Sequence, residues 1–462
     1  MNELSDKLGE YVDSDIYRFH MPGHKGNGSE CYKRDITEID GFDNLHHPQE
    51  VLLQAMNKTS EFYGSRRTWY LVNGSTCGIL AAISAVAKSG DTLLIGRNSH
   101  RAVYNALYIN KLKASYIYPQ NVDKYDINGG ICLSDVEKVI NCQTNIRAIF
   151  ITSPTYEGVV SDIEGISELA HRYGIPVIVD EAHGAHFGMD KQFPESALKK
   201  GADVVIQSLH KTMNSMTQTA IIHTSHNCLI SDEELSRYLS IYQTSSPSYI
   251  LMESIDKCIN EIISDGNQLM SAYVRRLEKF YRLAKELNNL KVADDISNKD
   301  IGKIVISVKG TDKNGKWLYD SLRERYRIQP EMMTETYVVC MTSYMDKDEG
   351  FDRLIEALTY LDKEVNISKI GVDITPLKSS IVCEDICDSM DRYEQEKIKL
   401  RESEDRISGE YIYLYPPGIP LVVPGELLTR DVLEKIYGYI SQGLNVQGLE
   451  DMQCEYIYVL KK

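Results

Sequence analysis

Basic residues are in short supply: 51 lysines and arginines face 67 aspartates and glutamates across 462 residues, a formal charge of −16. Phosphate neutralisation needs a basic face, so this balance argues against nucleic acid as a partner. An acidic surface does suit a cationic substrate, which it would steer inward. Paired cysteines are missing too. Ten cysteines are scattered without a Cys-x-x-Cys motif, and the nearest two, Cys383 and Cys387, would share one helical face. Such a set predicts reduced, mostly buried thiols rather than a disulfide framework. No apolar run reaches bilayer-spanning length, and the polar start Met1-Asn2-Glu3-Leu4-Ser5-Asp6 lacks signal-peptide character. The expectation is a cytoplasmic protein with no membrane partner. Histidine is absent from the second half: all eleven lie before residue 227, which points to the first half for the chemistry.

A Gly-Lys followed by Ser or Thr is absent as well. Asp180-Glu181-Ala182-His183 matches the acidic motif of DEAH-box helicases, but those also need a phosphate loop ending in that triplet, so a helicase is excluded. His183-Gly184-Ala185-His186, with His46, His47 and Glu181, fits neither His-Glu-x-x-His nor a Cys/His framework. No metal is expected.

What is present is an alternation of short apolar runs and helical patterns. After an irregular stretch over 1–50, helical spacing covers 51–63, 76–88, 101–112, 161–173 and 194–200. Apolar strands fall near 92–96, 148–152, 176–180, 203–207 and 219–223. That order predicts an α/β fold, a mainly parallel sheet flanked by helices, with ligands beyond the carboxyl ends of the strands. A long helical pattern over about 249–290 leads to a smaller α/β unit, with strands near 304–308 and 337–340 and helices near 315–325 and 349–363. A linker over 366–375 precedes a third unit with a charged helix over 383–404, a Pro/Gly-rich segment and a closing helix over 428–442. The domain reading is therefore a 1–50 segment, a large domain over 51–290, a small domain over 291–365 and a C-terminal domain over 366–462.

Two strand ends carry the chemistry. The run Pro176-Val177-Ile178-Val179 ends in Asp180, and Asp203-Val204-Val205-Ile206-Gln207 ends in Ser208-Leu209-His210-Lys211. A lysine held partly out of water can form a Schiff base with an aldehyde, and an acid nearby can keep a pyridine nitrogen protonated. Together they suit pyridoxal 5'-phosphate. Alternatives stand beside each residue: Lys211 as a solvated surface charge, Asp180 as a helix N-cap. Asn73-Gly74-Ser75-Thr76-Cys77-Gly78 opens an apolar helix and offers an anion site for the phosphate, or an ordinary capping sequence. His100, after the strand over 92–96, could stack on the cofactor ring or make a structural hydrogen bond.

These residues resemble the Orn/Lys/Arg decarboxylase family. The likeness rests on Phe19-His20-Met21-Pro22-Gly23-His24-Lys25-Gly26, Asp35-Ile36-Thr37-Glu38, Leu71-Val72-Asn73-Gly74-Ser75-Thr76 and Arg97-Asn98-Ser99-His100-Arg101. It continues through Asp180-Glu181-Ala182-His183-Gly184, Ser208-Leu209-His210-Lys211-Thr212, Pro416-Pro417-Gly418-Ile419-Pro420 and Val423-Pro424-Gly425-Glu426. The resemblance implies the fold type I of PLP-dependent transferases, with a dedicated C-terminal domain and homodimers or tetramers sharing active sites. It makes Lys211 the Schiff-base lysine, Asp180 the pyridine partner and His100 the stacking ring, with His183 alongside. Gly74, Ser75, Thr76, Ser208 and His210 would surround the phosphate, and Thr244 and Ser245 would reach a neighbouring subunit's phosphate. The chain is similar to the short Gram-positive form, without an N-terminal wing domain.

The expected reaction is α-decarboxylation of a basic amino acid, arginine before lysine before ornithine, to an amine for polyamine metabolism. Lys211 or His210 would return a proton to the α-carbon, and Glu38 or Glu426 would meet the substrate's side-chain cation. The rivals are an aminotransferase or a carbon–carbon lyase on the same fold, and a degenerate binding protein without turnover.

Overall fold

The computed structural model describes residues 3–143, 145–368, 381–415 and 418–461. The strands of its α/β architecture are β1 (Arg67–Leu71), β2 (Thr92–Gly96), β3 (Lys113–Ile117), β4 (Ile146–Thr152), β5 (Val177–Asp180), β6 (Val204–Gln207) and β7 (Ala220–Thr224). The chain divides into two compact units.

The first unit holds Met1–Val86, Ile163–Arg275 and Ser343–Met345. Its strands run in the order β1-β7-β6-β5. Strands β5 and β6 are parallel, with Ile178 opposite Val204 and Asp180 opposite Ile206. Every residue of both is buried. Continuous Val and Ile runs are what a sheet covered on both faces requires, because neither face can afford a polar alternation. Strands β6 and β7 are antiparallel, as are β7 and β1. The helix Gly74–Val86 packs tightly here: a Cβ on Gly78 would lie 2.8 Å from Leu71 Cδ1 and 3.2 Å from Ile206 Cγ2. Only glycine permits that approach.

The second unit holds Ala87–Asp162, Arg276–Thr342 and Asp346–Lys462. Its framework strands run β4-β2-β3, and both pairings are parallel. A four-stranded antiparallel sheet is built around Lys303–Ser307 and Tyr337–Met341, with Gly315–Tyr326 and Asp348–Asp362 as its helices. The strands expected near 304–308 and 337–340 and the helices expected near 315–325 and 349–363 are these elements.

Three expectations are corrected. The 1–50 stretch is not wholly irregular: Glu3–Asp13 is a helix whose Leu4 and Leu8 are fully buried. The 194–200 segment is turn rather than helix. There Ser196 Oγ and the Ala197 amide donate to the buried Glu181 carboxylate at 2.7 and 3.1 Å. The charged run over 383–404 is no helix either. It contains the short helix Ile386–Ser389 and the strand Gln395–Lys399, which pairs antiparallel with Tyr456–Leu460. A partner some sixty positions away decides that strand, and local charge spacing carries no trace of it. Residues 369–375 of the expected linker, with Pro416 and Pro417 of the Pro/Gly-rich segment, lie outside the described residues. Among the described residues, no helix is long and apolar enough to cross a membrane.

Candidate active site

The parallel register of β5 and β6 brings their carboxyl ends level. Asp180 closes β5, 4% exposed, and its Oδ1 accepts from the Ala182 amide at 3.0 Å. Burial raises its carboxyl pKa, while the Lys211 ammonium opposes the shift. Beyond β6, Ser208 leads into the short helix Leu209–Thr212, which carries His210 and Lys211. Lys211 Nζ lies 3.0 Å from His183 Nε2. The end of β5 and the end of β6 thus present an acid, an imidazole and an amine to one place.

His210 is fixed differently. Its Nδ1–H donates to the Thr219 carbonyl at 2.8 Å, which leaves Nε2 as the titrating atom. Burial lowers the pKa of this ring, with a smaller push from Lys211. The phosphate candidates also come together. Gly74, with φ of 73°, opens the helix Gly74–Val86, and Ser75 Oγ sits 2.6 Å from Ser208 Oγ. Two hydroxyls at a helix N-terminus make an anion cradle that neither strand end would make alone. Thr76 is exposed beside them, and the Thr244 amide donates to Asn73 Oδ1 at 3.3 Å. Thr244 and Ser245 are both exposed.

In the second unit, His100 caps the helix Arg101–Asn110: its Nδ1 accepts from the Ala102 amide at 3.2 Å. Gly418 approaches the same ring, since a Cβ there would lie 3.9 Å from His100 Nε2. Glu426 is buried and held by Arg97, whose Nε and Nη2 donate to its two carboxylate oxygens at 3.0 and 2.8 Å. The Val423 amide adds a third donor at 2.9 Å. This pair ties the end of β2 to the C-terminal part of the chain. Replacing Arg97 with Met strands a buried carboxylate, and we expect a loss of about 3–5 kcal/mol, read by denaturant unfolding.

Sequence reasoning missed several supports. Gln243 Oε1 accepts from the Val72 amide at 2.9 Å and steadies the backbone before Gly74. Asn214 Nδ2 donates to Glu261 at 3.1 Å, and Tyr344 OH donates to the same carboxylate at 2.9 Å, which moors the loop after Lys211. No local pattern marks these residues. Glu181, read only as part of a motif, is a buried structural acid. Burial pushes its pKa up to about 8, although Ser196, Ala197 and Gln207 all donate to it. An acid raised from 4.5 to about 8 binds its proton more tightly when folded, so stability should fall as pH rises through that window. The loss is at most a few kcal/mol, and a Glu181→Gln variant should flatten the slope in pH-dependent thermal unfolding.

The family model for the Orn/Lys/Arg decarboxylase major domain matches residues 3–334, and that for the C-terminal domain matches 376–446. This chain belongs to the Orn/Lys/Arg decarboxylase family. It is 30% identical to an arginine decarboxylase of Bacillus subtilis, covering 98% of this chain and 97% of the other. It is also 30% identical to an arginine decarboxylase of Bacillus anthracis, covering 99% and 97%. The structure of a Francisella novicida lysine decarboxylase superposes with a TM-score of 0.85 at 18% identity, covering all of this chain and 81% of that one. That likeness confirms the type I fold. The family is PLP-dependent, so this Orn/Lys/Arg decarboxylase is a PLP-dependent decarboxylase of basic amino acids.

The residues present fit the cofactor. Asp180 is a buried acid whose burial penalty is opposed by the Lys211 charge. Condensation with an aldehyde would remove that charge, and a protonated pyridine nitrogen would replace it.

Proposed function

We propose that this decarboxylase acts on arginine first, then lysine, then ornithine, to supply an amine for polyamine metabolism in the cytoplasm. One observation carries the reaction type: Lys211 Nζ, His183 Nε2 and the buried Asp180 converge at the ends of two parallel strands. The choice of arginine is supported by nearly full-length likeness to two Bacillus arginine decarboxylases.

Pyridoxal phosphate, when bound, supplies an electron sink for the pair released as the carboxylate leaves as carbon dioxide. The protein does the rest. Lys211 would hold the cofactor's aldehyde through its Nζ, the amine that a substrate amine would displace. Asp180 would hold the cofactor's ring nitrogen protonated. His100 would present its imidazole face to the ring, and His183, whose Nε2 lies 3.0 Å from Lys211 Nζ, would stand beside it. Gly74, Ser75, Thr76, Ser208 and His210 would bind the phosphate, and Thr244 and Ser245, exposed on this chain, would reach that of a neighbouring subunit. The freed Lys211 Nζ returns a proton to the α-carbon. His210 is the second candidate, because its Nε2 is the atom left to carry one. Glu38, half-buried in the first unit, meets the substrate's side-chain cation. Glu426 is left out of that role because Arg97 already matches its charge.

A dimer or tetramer follows from the same reading. Tyr17, Phe19 and Met21 of the N-terminal motif are 79%, 89% and 66% exposed, an apolar surface that a second copy of this chain would cover. Light scattering on the holoenzyme measures that directly. The reaction is tested by a panel of arginine, lysine and ornithine, with carbon dioxide, amine products and keto acids identified by mass. Agmatine as the dominant product supports the reading. Keto acid without carbon dioxide would instead make it an aminotransferase.

A further inference from the structure

The second unit contains a chamber of about 790 Å³ that the proposed reaction does not use. Its walls come from residues 118–128, from 334–337 and from the C-terminal part of the chain, with Arg97 and Asn98 at one side. Four carboxylates and three cations line it. Arg97 is closed on Glu426, Lys309 Nζ lies 2.5 Å from Asp126 Oδ1, and Lys435 stands near both Glu335 and Asp126. Asp123 is the acid in excess.

Asp126 is the group that points to a ligand. Its side chain is 10% exposed, and Oδ2 is buried without a hydrogen-bond partner. A carboxylate oxygen cut off from water and given no donor is costly, so a ligand bringing an N–H would be favoured there. Asn98 Oδ1, in the same wall, is a second buried acceptor without a partner. Tyr118, Tyr337 and Tyr439 add aromatic surface of the kind that receives organic cations. Among the described residues, no three His, Cys, Asp or Glu side chains are grouped to hold a metal ion. Two orphaned acceptors, excess acid and aromatic walls call for N–H donors on a positively charged organic molecule.

We propose that this chamber is an effector site for a linear aliphatic amine or guanidine, the chemical class of the product under the reading above, on which the choice of ligand rests. Its influence on turnover runs through the chain itself. Arg97 and Asn98 wall the chamber, and His100 follows two residues later at the cap of its helix. A cation bonded to Asn98 Oδ1 and Asp126 Oδ2 changes the setting of that strand end.

The test uses full-length holoenzyme whose cofactor has been fixed by borohydride, so that the active site is filled and turnover is not needed. Calorimetric titration with agmatine, and separately with 1,4-diaminobutane, should reveal one equivalent bound per chain. Asp126→Asn, which keeps the shape and the contact to Lys309, should weaken binding about tenfold or more, and Glu335→Gln should weaken it in the same direction. Circular dichroism confirms that each variant is folded. In unreduced enzyme, added agmatine should change kcat at saturating substrate, and Asp126→Asn should remove that effect. No heat with either amine, or equal affinity in wild type and both variants, overturns the proposal. If arginine is not decarboxylated but an amine still binds and Asp126→Asn abolishes it, the substrate reading fails and the site stands.

Discussion

Replacing Lys211 with alanine should abolish decarboxylation, with kcat reduced by about four orders of magnitude or more. The expectation rests on covalent chemistry rather than on affinity. The paired hydroxyls of Ser75 and Ser208, proposed to hold the phosphate, and the acid at Asp180 remain in the variant, so the cofactor should still bind. What is lost is the amine that lies 3.0 Å from His183 beside a buried carboxylate. The cofactor absorption should shift to that of the free aldehyde. Borohydride treatment followed by peptide mapping should label wild type on Lys211 and leave the variant unlabelled. Lys211→Arg is the informative companion. It keeps a positive charge near Asp180 but cannot condense with an aldehyde at neutral pH, so it should be as inactive as the alanine variant and at least as stable. A Lys211→Ala enzyme that decarboxylates at a normal rate would refute the mechanism.

The parts of this protein that could be read in advance share a property: their determinants are local. Val177, Ile178 and Val179 are buried on both faces, so their strand appears as a continuous apolar run and needs no partner to be recognised. The same holds for Thr92–Gly96, a run of five buried residues where a strand is expected near 92–96. The acid and the lysine sit where such runs stop, and that made the cluster legible before any geometry was known. Elements whose identity depends on distant chain were not legible. The helix Glu3–Asp13 is held by Ser5 Oγ donating to Glu253 at 3.0 Å, nearly 250 positions away. Strand Gln395–Lys399 exposes Glu396 and Lys397 and buries Gln395, a pattern that local charge spacing reads as helix. Glu426 stands in a family motif beside Pro and Gly, and only the fold brings Arg97 to it. Local sequence describes what a side chain is, and long-range pairing decides whether its charge is still available.

Substituting Asp180 with asparagine should lower kcat by about two to three orders of magnitude while leaving the fold intact. The two side chains have the same shape, and an amide oxygen at the Oδ1 position can still accept from the Ala182 amide. What disappears is the negative charge. Burial makes that charge expensive in the folded protein, so the variant should melt at the same temperature or slightly higher. Loss of rate without loss of stability is the signature of a charge kept for chemistry. It should be accompanied by normal labelling of Lys211 on borohydride reduction, since the amine is untouched. Asp180→Ala separates the two duties of this side chain. It removes the acceptor as well as the charge and leaves the Ala182 amide without its partner, at a cost of about 1–3 kcal/mol in stability. If asparagine and alanine lose rate equally but only alanine loses stability, the hydrogen bond serves the turn and the charge serves the cofactor. If asparagine restores the wild-type rate, the acid is a capping residue and the electron sink must be sustained by another group.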